Sequence, residues 1–77
     1  MKFKEHDCVV LINNLPEENL QVGDVGTIVH VHKGSIAYEV EFVTLVGTTI
    51  AVATIKASNL RPISERDVTH VRQLETA

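Results

Sequence analysis

The chain has 77 residues, 44% of them hydrophobic, one cysteine, and a formal net charge of −3. That length leaves room for one domain and no second core, and the lone Cys8 excludes an internal disulfide. The basic residues Lys2, Lys4, Lys33, Lys56, Arg61, Arg66 and Arg72 are scattered without a run, which argues against the cationic face that nucleic acid demands.

Two lysines open the chain, but the first apolar run, Cys8–Ile12, is short. A secretory signal needs roughly 7–15 apolar residues and a membrane span about 20. A cytoplasmic protein with no membrane partner is therefore expected. With so few aromatics, the core has to be built from Val, Ile and Leu, and β-branched residues favour strands.

Alternation with period two carries the chain from strand to strand. The first strand is predicted at His6–Ile12, and its Cys8 is expected to be buried and inert within the apolar run. The Asn- and Glu-rich segment 13–19 reads as a loop, held down by Leu15 and Leu20. In the second strand, Val25, Thr27, Val29 and Val31 are taken as the core face, with Ile28, His30 and His32 pointing away. Gly26 suits a bulge or bend.

Lys33-Gly34 is read as a two-residue hairpin turn into Ile36–Val43, where Tyr38, Val40 and Phe42 face inward and Glu39 and Glu41 outward. Val46-Gly47 is read as a type II turn leading to Thr48–Ile55. A short helical turn over 56–59 precedes the last strand, Leu60–Ile63. The resulting fold class is all-β, a five-stranded SH3-like barrel over residues 1–63.

Residues 64–77 form a tail, predicted as a short amphipathic helix or a disordered segment. Ser64 with Asp67 approximates a capping box, and Val68, Val71 and Leu74 make a narrow apolar stripe.

No arrangement of residues points to catalysis. His30 and His32 share a strand face, and His6 lies two residues before Cys8, but zinc spacing is absent. Cys8 lacks an orienting group and an oxyanion donor nearby in sequence. Glu39 and Glu41, roughly 7 Å apart along the strand, read as solubilising carboxylates. Asp24 reads as a turn residue bonding its own backbone. Without Trp, and with Tyr38 facing inward, proline-rich peptides and methyl-lysine are poor ligands. No cofactor and no metal are expected.

The segment Val22-Gly23-Asp24-Val25-Gly26-Thr27-Ile28-Val29-His30-Val31 resembles the Gly-Asp-x-Gly-x-Val core of KOW-type and related SH3-like barrels. Together with His6–Leu11, Leu15–Glu18, Ala37–Val43 and Asn59-Leu60-Arg61-Pro62, it resembles domain of unknown function family 4926, over residues 3–63. The resemblance implies a stand-alone bacterial SH3-like domain and carries no activity. Val46 departs from the Asp usual before the second hairpin glycine, and the tail lies beyond the shared region.

The expected function is a non-enzymatic protein–protein interaction module, an accessory or antitoxin-like subunit. The partner is another protein or a second copy bound through the tail. The expected partner-binding residues are Val68, Val71 and Leu74, then Glu17, Glu18, Glu39 and Glu41. The alternative is a KOW-like nucleic-acid or ribosome-associated domain acting through Lys33, Lys56 and Arg61.

Overall fold

The structure, a computed structural model, describes residues 2–75. Met1, Thr76 and Ala77, which belong to the expected domain and tail ranges, lie outside the described residues. Five strands form one antiparallel sheet: β1 (Cys8–Leu11), β2 (Val25–Val31), β3 (Ala37–Val43), β4 (Thr49–Lys56) and β5 (Leu60–Pro62). Their spatial order is β4-β3-β2-β1-β5. Short 3-10 turns cover Pro16–Glu18, Lys33–Ser35 and Ala57–Asn59.

The all-β, five-stranded expectation holds, but the closed barrel does not. Among the described residues, β4 pairs only with β3 and β5 only with β1, so the sheet is open at both ends. Closure would require a ladder between the edges. One backbone bond, from the Ile12 N–H to the Asn59 carbonyl at 2.9 Å, ties the end of β1 to the turn before β5.

The core follows the alternation of β3 as expected. Tyr38, Val40 and Phe42 are buried, and Ala53 and Ile55 of β4 pack with them. Val9, Leu11 and Leu60 close the other end, and Leu20, bridged to Leu15, folds the long loop onto this core. The buried Tyr38 hydroxyl accepts the Phe3 N–H at 3.0 Å. That bond supplies a polar partner for a ring otherwise surrounded by hydrocarbon.

The inward face of β2 is the reverse of the expected one. Ile28 is fully buried, while Val25 and Val29 are 52% and 41% exposed. Gly26 is also inward, because a Cβ there would stand 2.5 Å from Val40 Cγ1 and 2.9 Å from Phe42 Cε1. The register then slips: Ile28 pairs with Val40, but His30 pairs with Glu39, which leaves Val29 as the extra residue of a bulge. A bulge changes the phase of every side chain beyond it, so Val31 returns to partial burial against the core.

Three further expectations are corrected. Cys8 is exposed, because the inward phase of β1 falls on Val9 and Leu11. The Lys33-Gly34 turn is a wider 3-10 turn with Gly34 and Ser35 both at positive φ. At the β3–β4 tip, Gly47 donates to the Thr44 carbonyl at 2.9 Å and has φ of 91°. It therefore ends the turn, and Val46 occupies the position before it, one place later than a type II turn would put it.

The tail is not helical. Among residues 64–75 there is no helix and no strand. The Ser64 N–H donates to Asp67 Oδ2 at 2.7 Å and the Asp67 N–H to the Ser64 carbonyl at 3.1 Å. The capping residues thus close a single turn that does not propagate. Three apolar side chains, two of them β-branched, are too little to sustain an isolated helix in water.

Candidate functional site: two exposed surfaces

The first surface is the outer face of β2, β3 and β4. Glu39 and Glu41 lie side by side along β3, as expected, and each is engaged by neighbours. His32 Nε2 lies 2.6 Å from Glu39 Oε2, and Thr54 Oγ1 donates to the same oxygen at 2.5 Å. Thr49 Oγ1 donates to Glu41 Oε2 at 2.6 Å. The hydrogen bonds from His32 and then Thr54 hold the Glu39 carboxyl below its usual range, against a smaller opposing effect of burial.

His30 and His32 do emerge together, with ring centroids 5.1 Å apart and edge to face. His6 sits in a turn with φ of 77°, ahead of β1. Among the described residues, no group of three His, Cys, Asp or Glu side chains is arranged to hold a metal ion.

Beside this row and its His and Thr partners the face also carries apolar side chains. Val43, Ile50 and Val52 are exposed, and at the tip Leu45 and Val46 are 81% and 89% exposed. Hairpin turns ordinarily carry Gly, Asn, Asp or Ser. Leu45-Val46 departs from that chemistry, a feature legible in the sequence itself.

The second surface is the tail with the β1–β2 loop. Arg61 grips Asp67 with two bonds, of 3.0 and 2.9 Å, and the hydrogen bonds from Arg61 and the Ser64 backbone bring the Asp67 carboxyl down to about 2. Farther along, Arg72 Nε and Nη2 donate to Asp24 Oδ1 and Oδ2 at 2.8 and 2.6 Å, and Nη2 reaches the Asn19 carbonyl at 3.4 Å. Asp24 also accepts the Gln21 N–H at 2.9 Å, so its expected turn role holds and a tail anchor is added. Burial pushes the Asp24 carboxyl up, but the bonds from Arg72 and the Gln21 backbone outweigh it and the net direction is down.

The strap so formed passes beside Asn19, the residue after Glu17 and Glu18, which are exposed in the Pro16–Glu18 turn. Val68 and Val71 are 88% and 66% exposed, and Leu74 is exposed as well. The expected partner residues therefore divide into two groups. Glu17 and Glu18 lie in the β1–β2 loop to which Arg72 ties the tail, whereas Glu39 and Glu41 lie on the sheet face.

An open cleft of about 570 Å³ lies beside the Lys33–Ser35 and Ala57–Asn59 turns. Lys2, Ser35, Lys56 and Ser58 supply its polar side chains, with no carboxylate, imidazole or thiol among the lining residues. The cleft gathers Lys56 with Lys2, while Arg61 is committed to Asp67. No described helix is long and apolar enough to cross a membrane.

Comparison with curated proteins and with solved structures gave no significant match. A family model, Domain of unknown function (DUF4926), matches residues 5–62, which takes in all five strands and stops before the tail. The chain belongs to that family.

Proposed function

We propose that this chain is a non-catalytic, SH3-like protein-binding domain, working in the bacterial cytoplasm as an accessory or antitoxin-like subunit. The observation that carries the proposal is the apolar hairpin tip. Leu45 and Val46 stand almost fully in solvent, and Val43, Ile50 and Val52 on the two strands they connect are exposed as well. Large apolar side chains held out on a hairpin tip lose hydration cost only when another surface covers them. The neighbouring Glu39 and Glu41 select a partner whose apolar groove is rimmed by basic side chains. The SH3-like kinship is supported by the strand order and by the 3-10 turn before β5.

The test compares proteins retained from the native host by the wild-type chain and by a Leu45→Ser/Val46→Ser variant. A stoichiometric partner lost from the variant, with its circular dichroism unchanged, is the expected result. Retention of the same partner by the variant overturns the assignment to the tip. Absence of any stoichiometric partner overturns the function.

A second reading rests on the cleft that brings Lys2 and Lys56 together. Two lysines suit a phosphate backbone, and the reading requires binding to single-stranded or duplex RNA that weakens steeply with salt. The net charge of −3 and the engagement of Arg61 by Asp67 disfavour it.

A further inference from the structure

We infer that β4 is a self-pairing edge, and that two copies of this chain join β4 to β4 in antiparallel fashion as one continuous ten-stranded sheet. The inference begins with which way the backbone groups of β4 point. The Ala57 N–H donates to the Ile36 carbonyl at 3.0 Å, in a register that pairs Tyr38 with Ile55 and Val40 with Ala53. Independently, the His32 N–H donates to the Ala37 carbonyl at 3.1 Å, which directs Ala37, Glu39 and Glu41 towards β2. Both observations place the β3–β4 hydrogen bonds at Ala51, Ala53 and Ile55. The N–H and carbonyl groups of Val52 and Thr54 therefore point outward, where the described residues offer no ladder partner.

Open edges are normally blunted by charge, proline, brevity or a covering segment. The opposite edge has three of these: β5 is only three residues long, carries the charge of Arg61 and contains Pro62. By contrast, β4 is eight residues long, has no proline and no glycine, and is charged only at its last residue, Lys56. One edge is protected and the other is left ready to pair.

The occupant that fits is a second copy. A twofold axis beside Val52 makes each Val52 exchange both backbone bonds with its counterpart, and sets Ile50 against the partner's Thr54. Every contact then satisfies its symmetry mate, as an isologous interface requires. The arrangement joins the two exposed Ile50–Val52 stripes into one apolar band. Charge does not oppose it, because the Glu41 residues, each opposite Val52 across β3–β4, end up three strand spacings apart, roughly 14 Å. That exceeds the Debye length of about 8 Å at physiological salt. The inference is independent of the tip-mediated function, which a monomer would serve equally well.

The test is sedimentation equilibrium of the full chain across a wide concentration range, with amide hydrogen exchange read by NMR on the same samples. A monomer–dimer equilibrium is expected, with the Val52 and Thr54 amides gaining protection as the dimer fills. Val52→Pro removes a donor that the folded monomer does not use, and should weaken association about tenfold to hundredfold. Val68→Ser/Val71→Ser should leave association unchanged. A monomer at all concentrations overturns the inference. So does a dimer that leaves the Val52 and Thr54 amides unprotected or that the tail variant abolishes. The exchange measurement decides the matter if Val52→Pro fails to fold.

Discussion

Arg72 and Asp24, separated by 48 positions, meet through two charge-assisted hydrogen bonds of 2.8 and 2.6 Å. The pair converts the tail from a free end into a strap over the β1–β2 loop. Both side chains are partly shielded from solvent, at 29% and 15% relative exposure. Bidentate geometry with partial burial places such a pair at the stronger end of surface ion pairs.

Replacing Arg72 with Ala should therefore release the distal tail while costing the sheet only about 1 kcal/mol. Limited trypsin digestion should cut at Arg66 much faster in the variant, with the urea midpoint barely lowered. Asp24→Ala should cost more than Arg72→Ala, because it also strips the Gln21 N–H of its acceptor. Equal cleavage rates in wild type and Arg72→Ala would show that the strap does not hold.

Acid should loosen the same strap, and the sign follows from the lowered carboxyls. Asp24 and Asp67 both ionise at lower pH in the folded chain than their ordinary value of 3.8, Asp67 at about 2. A folded-state value below the unfolded one contributes stability that is complete above the unfolded value and is lost as pH falls through the folded one. Tail protection against hydrogen exchange should thus be flat above about pH 5 and fall between about pH 4 and 2. Loss of protection on raising pH from 5 to 8 would contradict this assignment.

Gly26→Ala is expected to be among the most damaging small substitutions. The added Cβ would meet Val40 Cγ1 at 2.5 Å, Phe42 Cε1 at 2.9 Å and the Glu41 carbonyl at 3.0 Å. Two of these neighbours are fully buried core side chains with no room to retreat. Overpacking of this kind costs about 1–3 kcal/mol, measurable as a lowered urea midpoint. Gly23→Ala meets nothing within 4 Å but sits at φ of 94°, so its smaller cost, about 1 kcal/mol, comes from backbone strain alone.

The alternation of Tyr38, Val40 and Phe42 against Glu39 and Glu41 was sufficient to orient β3, because nothing interrupts its period over those residues. The same logic inverted β2. Four valine and threonine side chains outweighed one isoleucine in the pattern, whereas in space Ile28 fills more of the core and Gly26 makes room for Phe42. The bulge at Val29 then merged two phases that a single period cannot describe.

Strand number, the all-β class, the inward Tyr38 and Phe42, and the folding-back of Leu15 and Leu20 were local matters, decided by residues close together along the chain. The open edges, the exposed Cys8, the non-helical strap and the Arg72–Asp24 pair were settled only when distant segments met. Period and turn chemistry act over a few residues, so they set each strand's existence and the hairpin neighbours β2–β3 and β3–β4, but not the β1–β5 pairing. The β1–β5 ladder and the Arg72–Asp24 pair depend on closing loops of dozens of residues, and only the folded sheet specifies those.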